Sequence, residues 1–335
     1  MERRTLLTGV AAGAAAAALP GWRAALAAEK PVRFGLVTKA LGIGFFDAVH
    51  KGADEAAEQL GQVKVIFTGP TTTTAEGQIE IINELTAQHV DAMAVSANDP
   101  DALVPACKKA IQRGIKVISY DSAVGPGGRI VHLAPSSDAL IGQTCAQLVA
   151  DCAPGAKGKF AVLSATPTST NQNAWIAQMK KVLPNYPNLT LVGIVYGNDL
   201  ADQSYRETQA LLKEHPDLAV IMAPTSVGIV AGAKAVEDAG LSGKVIVTGL
   251  GLPSELIGHV ENGTVKEFAI WNPIDLGYTT CEIAVRLARG AAGGPNTTID
   301  AGRMGKIAFD AQGVGVMGKP TIFDKSNIEK YAKIF

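Results

Sequence analysis

Charge, cysteine and aromatic residues are all scarce in this 335-residue chain. Charged residues make up 18%, aromatics 5%, and there are four cysteines and five histidines. The net charge is −1 and no basic block occurs, which excludes nucleic acid as the natural partner. The histidines, His50, His89, His132, His215 and His259, lie scattered without metal-ligand spacing. Cys107, Cys145, Cys152 and Cys281 follow neither a disulfide scaffold nor a zinc pattern. Cys145 and Cys152, seven apart on one predicted helix, would have Cα atoms roughly 10 Å apart, beyond disulfide reach. Buried free thiols are therefore expected. No Gly-x-Ser-x-Gly elbow or Walker loop is present, and Gly42-x-Gly44 lacks the third glycine of a dinucleotide fingerprint. Nothing calls for a cofactor or a metal, and no nucleophile is paired with a base.

What the first residues do contain is a targeting pattern. Arg3-Arg4 precede an Ala/Gly-rich stretch from Thr8 to Leu19, Pro20 interrupts it, and Ala25-Leu26-Ala27 offers a small-x-small cleavage site. The stretch is too short and glycine-rich to span ~30 Å of hydrocarbon. Residues 1–28 are read as a cleaved signal peptide of the twin-arginine type, giving a periplasmic protein. No cysteine precedes Cys107, so no lipid anchor is expected.

From Val32 onward, short β-branched runs alternate with amphipathic segments. Strands are expected at Val32–Thr38, Val63–Phe67, Ala92–Val95, Val117–Tyr120 and Ile130–Leu133, with helices at Phe45–Leu60, Ala75–Gln88 and Ala102–Arg113. The pattern then restarts. Strands at Phe160–Ser164, Leu191–Tyr196, Val220–Met222, Ile246–Thr248 and Phe268–Ile270 enclose helices at Asn171–Val182, Gln203–His215, Ser226–Ala239 and Ser254–Asn262. One more helix, Leu276–Arg289, follows. Near-continuous apolar strands with helical crossovers mean doubly wound parallel sheets covered on both faces. The fold class is α/β, with two Rossmann-like domains. The first is expected at residues 29–134 and 271–300, the second at 135–270 and 301–335. Three hinge crossings would then fall near Ala134–Ser137, Ala269–Asn272 and Asp300–Met304.

Ligands of such sheets sit at the carboxyl ends of the strands. After the first strand come Lys39 and then Phe45-Phe46, where successive helical positions let one ring enter the core while the other faces a cleft. Asp121 ends the fourth strand, either as a turn residue or as an acceptor for two vicinal hydroxyls. The run Thr168-Ser169-Thr170-Asn171-Gln172-Asn173-Ala174-Trp175 places three amides and an indole at a helix start, more than capping alone requires. Later strand ends bring Pro224 and Ser226, then Gly249-Leu250-Gly251, then Trp271-Asn272, where Trp271 serves either a ligand or the hinge packing.

These segments resemble the ribose/galactose-type periplasmic binding proteins. The likeness is carried by Phe34-Gly35-Leu36-Val37-Thr38-Lys39, Gly44-Phe45-Phe46-Asp47, Gly77-Gln78-Ile79-Glu80 and Asp91-Ala92-Met93-Ala94-Val95-Ser96. Lys39, Ser169-Thr170-Asn171-Gln172-Asn173, Ala223-Pro224-Thr225 and Lys266-Glu267-Phe268-Ala269-Ile270-Trp271 look like the branch of rhamnose-binding and autoinducer-2-binding proteins of ABC importers. The resemblance implies a type I binding-protein fold without enzymatic activity, and ligand contacts from Lys39, Phe46, Asp121, Asn171, Gln172, Pro224 and Ser226. Trp271 and Asn272 would flank them, and Phe45 and Trp175 complete the candidate set. Asn171 stands where the autoinducer-2 binders carry an aspartate, which favours rhamnose. The implied partners are a monosaccharide and the permease subunits of an ABC transporter, met by a monomer. Autoinducer-2 uptake, or signalling through a chemoreceptor, is the alternative.

Overall fold

The computed structural model describes residues 31–335; the expected signal peptide, residues 1–28, lies outside them. Among the described residues no helix is long and apolar enough to cross a membrane. The first lobe opens with β1 (Val32–Val37), α1 (Gly44–Leu60), β2 (Val63–Thr68), α2 (Ala75–Ala87) and β3 (Ala92–Val95). It continues with α3 (Val104–Gln112), β4 (Lys116–Tyr120) and β5 (His132–Ala134). The chain then crosses to the second lobe through α4 (Asp138–Cys152), β6 (Gly158–Ser164), α5 (Thr170–Val182), β7 (Leu189–Tyr196) and α6 (Ala201–Glu214). There follow β8 (Leu218–Ala223), α7 (Ser226–Asp238), β9 (Ile246–Gly249), α8 (Pro253–Glu261) and β10 (Glu267–Ile270). It returns with α9 (Pro273–Ala288), β11 (Thr298–Asp300), β12 (Lys306–Ala308) and β13 (Val314–Val316), and finishes with β14 (Thr321–Asp324) and α10 (Ile328–Tyr331).

The first sheet runs β13-β5-β4-β3-β1-β2 and is parallel throughout. The second runs β7-β6-β8-β9, also parallel, and single bridges link β9 and its flank to the β10-β14 pair. Both lobes thus repeat one strand order, with reversal points between β1 and β3 and between β6 and β8. This is the two-domain doubly wound architecture expected of a type I binding protein. The strands read as apolar runs because helices cover both faces. Helices α1 and α9 cover one face of the first sheet and α2 and α3 the other, while α4 and α5 oppose α6 and α7 in the second. Four helix starts are closed by side chains: Thr74, Ser137, Thr225 and Asn272 each accept a first-turn amide. The four cysteines are buried and unpaired.

Helices α1 and α9 pack backbone to backbone. A methyl on Gly52 would land on the Ile274 carbonyl, and one on Gly277 would land on that of Val49. Glycine is the residue that permits this approach.

The last segment departs from expectation. The sequence places residues 301–335 in the second lobe, with a crossing near Asp300–Met304. Instead β11 and β12 form a hairpin beside α9, and Arg303 pairs with Glu55 and Asp275 of the first lobe. Strand β13 then adds to β5, so the chain crosses only between Val316 and Thr321. There Met317 N and Gly318 N donate to the carbonyls of Ala134 and Pro135 in the first crossing. A three-residue strand whose central Gly315 fits beneath Phe309 carries too little apolar pattern to be read as part of a sheet.

Candidate functional site

Strand ends of both sheets converge on one cavity between the lobes, with about 410 Å³ of space free of protein atoms, part of it continuous with solvent. The first lobe supplies Lys39 after β1, Ile43, Phe45 and Phe46 at the start of α1, and Asp121 after β4. The second supplies Asn171, Gln172 and Trp175 on α5, Asp199 after β7, and Pro224, Thr225 and Ser226 after β8. Leu250 follows β9, Ile270 ends β10 and Trp271 follows it.

A polar chain crosses the floor. Lys39 Nζ donates to Ser169 Oγ and to Asn171 Oδ1, each at 2.9 Å, and Asn171 Nδ2 donates to Asp121 Oδ1 at 3.1 Å. Ser96 Oγ donates to the other Asp121 oxygen at 2.8 Å. Behind these groups Gln78 Nε2 donates to the carbonyls of Thr38 and Ser96, and Asn98 Nδ2 to that of Lys39. These contacts fix the loop that carries the lysine. Gln172 Oε1 accepts from Ser164 Oγ and Ala165 N, which leaves its amide Nε2 as the end available to the cavity.

The site holds Lys39 and Asp121 away from water, with Asp199 half-buried beside them. Burial pushes the Lys39 ammonium below its usual range, against the pull of Asp121 and Asp199. It pushes the Asp121 carboxyl up, opposed by Lys39, Ser96 and Asn171, with Asp199 adding to the rise. Burial likewise raises Asp199, opposed by Lys39 and by the Thr225 hydroxyl. Desolvated donors and acceptors of this kind favour a ligand that supplies hydroxyl groups in place of water.

Aromatic rings line the cavity as well. Phe45 meets Phe46 and Trp271 edge-on, with centroids 5.2 and 6.0 Å apart, and Trp175 meets Trp271 at 5.5 Å. The sequence suggested that one of Phe45 and Phe46 would enter the core and the other face a cleft; both are buried and both line the cavity. Trp175 Nε1 donates to Asp138, whereas the buried Trp271 Nε1 has no partner among the described residues.

Ten of the eleven candidate residues thus surround one cavity. Asn272 does not line it: its Oδ1 accepts from Ile274 N and Asp275 N and its amide donates to Asp275, so it caps α9 ahead of Pro273. Asp199 was missed, although it lies just beyond a strand end where inspection was warranted. Ile43, Thr225, Leu250 and Ile270 stand outside the candidate set too, because their side chains are indistinguishable in sequence from core or cap residues.

The lobes touch directly around the cavity. Thr73 Oγ1 donates to the Asn198 carbonyl at 2.6 Å, Thr168 Oγ1 to that of Asn98 at 3.0 Å, and Thr170 Oγ1 to that of Ala123 at 3.1 Å. This is a closed arrangement, with each lobe reading the other's backbone.

Residues 34–292 match the periplasmic binding protein domain. A solute-binding protein of an ABC transporter from Clostridium phytofermentas, solved with bound L-rhamnose, is 36% identical. It covers 91% of this chain and 99% of its own, with a TM-score of 0.87. LsrB from Clostridium saccharobutylicum, in complex with AI-2, is 26% identical over 90% of this chain and 99% of its own, TM-score 0.85. The D-ribose/D-allose-binding protein of Pseudomonas aeruginosa is 28% identical over 66% of this chain and 70% of its own. With this two-lobed fold, this cavity and these likenesses, the chain belongs to the periplasmic binding protein domain family, as a solute-binding protein of the ABC-transporter type and not an enzyme.

Proposed function

We propose that the chain is the sugar-binding component of an ABC importer, capturing one monosaccharide, with L-rhamnose first, between its lobes and delivering it to the membrane permease. It would work in the periplasm after removal of residues 1–28. The observation that carries the reading is the pairing of a hydroxyl-seeking floor, Lys39–Asn171–Asp121, with an apolar wall. The 36% identity with a protein solved with L-rhamnose supports the choice of sugar. Ile43, Leu250 and Ile270 offer an aliphatic edge to the methyl of a deoxysugar, worth about 0.8 kcal/mol per buried carbon. Sugar hydroxyls reaching both lobes favour the closed form by their differential affinity for it.

AI-2 is the second reading, supported by the likeness to LsrB and weakened by Asn171, an amide where the family resemblance implies an aspartate in the AI-2 binders. Output through a chemoreceptor would separate from transport in a deletion strain assayed for both. A thermal-shift series over L-rhamnose, D-ribose, D-allose, D-arabinose and AI-2 tests the ligand, since binding raises Tm by mass action. L-Rhamnose is expected to give the largest shift. A shift with AI-2 alone would replace the first reading with the second.

A further inference from the structure

The charges of the cavity do not balance. One ammonium, Lys39, stands among two carboxylates, Asp121 and Asp199, and spends its contacts on Ser169 and Asn171. Both oxygens of Asp121 are occupied, by Ser96 and Asn171. Asp199 differs. One oxygen accepts from the Thr225 hydroxyl, and the other has no partner among the described residues.

The backbone beneath it is left-handed. Asn198 and Asp199 hold successive φ values of 55° and 50°, a region that asparagine and aspartate enter more readily than other residues with a side chain. The surroundings over-determine this turn. Gly197 N donates to Ser164 O and Asn198 N to Ala165 O, Asn198 Nδ2 donates to Gln203 Oε1, and Thr73 of the first lobe clasps the Asn198 carbonyl. A turn fixed from both lobes that sets a carboxylate on the cavity wall points to a role in recognition.

We propose that Asp199 is a specificity-determining residue: it screens the cavity against anionic ligands such as sugar acids and takes hydroxyls of a neutral sugar on its free oxygen. This rests on the reading of the cavity as a monosaccharide site. A ligand carboxylate or phosphate would add a third negative charge to a largely buried site with one cation. A neutral polyol meets no such repulsion and gains a charge-assisted hydrogen bond.

Calorimetry on the whole chain with L-rhamnose and L-rhamnonate tests this in the unsubstituted protein, Asp199→Asn and Asp199→Gly. Asparagine tolerates the left-handed backbone, and glycine adopts it freely, so one variant covers a folding failure of the other. The unsubstituted chain is expected to bind L-rhamnose and not L-rhamnonate. Both variants should bind L-rhamnose about tenfold more weakly and L-rhamnonate at least about tenfold more tightly than before. Unchanged discrimination in both folded variants, with L-rhamnose still bound, would overturn the role of Asp199 alone. No binding of any neutral sugar by the unsubstituted chain would overturn the monosaccharide reading and this inference with it.

Discussion

Lys39 and Asn171 hold each other across the cleft, the ammonium of one lobe donating to the amide oxygen of the other at 2.9 Å. The same amide turns its nitrogen to Asp121, so its orientation is dictated by a donor on one side and an acceptor on the other. Asn171 relays between two charges that do not touch. Lys39→Met keeps the length of the side chain, removes the ammonium and leaves Asp121 and Asp199 without a cation. Sugar affinity is expected to fall by about 2–3 kcal/mol, roughly 30- to 150-fold. An affinity within threefold of the original, measured calorimetrically, would show that the lysine serves only the fold.

Closure should respond to pH through Glu255. This second-lobe residue lies against Gly44 at the start of α1, so close that a methyl on the glycine would strike its carboxylate. Burial first, and Asp47 of the first lobe second, push its carboxyl up to about 7. Lys234 and Asp202 line the same groove. With the lobes apart Glu255 returns towards an ordinary carboxylate value, so the closed form binds more protons between about 4.5 and 7. The contribution to closure is full below that window and is lost as pH rises through about 7. Sugar affinity is therefore expected to weaken from pH 5 to pH 8, and Glu255→Gln to flatten the profile. A slope that persists in the glutamine variant would assign it to another group.

Much of this was legible from the chain alone, for identifiable reasons. Strands such as β3 and β4 are buried on both faces, so they appear as apolar runs. Lys39 and Asp121 follow directly on such runs, and the rule of strand ends found them. Asp199 lies three residues past β7 in Gly197-Asn198-Asp199, a composition that also describes an ordinary turn; only the tertiary clasp by Thr73 and Thr225 aims it inward. Asn272 misled in the opposite direction, because an asparagine before proline at a strand end suits a ligand and a helix cap equally. Strand β13 was invisible because its pairing with β5 is set by the path of the returning chain, not by its own three residues.

The contact between α1 and α9 offers a stability test remote from the cavity. Gly52 faces the Ile274 carbonyl, and a backbone atom cannot rotate away as a side chain can. Gly52→Ala is expected to part the helices and cost about 1–3 kcal/mol, a fall in Tm of several degrees. A Tm within one degree of the unsubstituted protein would mean that the helices slide without cost.

Trp271 should reveal itself by unequal effects on stability and affinity. Its indole sits at the second crossing, packed edge-on against Phe45 and Trp175, with a buried N–H that no described residue accepts. A sugar oxygen placed against this wall would satisfy that donor. Trp271→Phe keeps an aromatic ring and deletes the donor. The protein alone should lose little stability, since removing an unpaired buried polar group offsets part of the lost packing. Sugar binding should weaken by about 1–1.5 kcal/mol, close to tenfold, with a hydroxyl-bearing ligand losing more than its deoxy analogue at the contacted position. Equal losses for the two ligands would show that Trp271 contributes ring surface alone, and that the N–H stays unpaired in the complex as well.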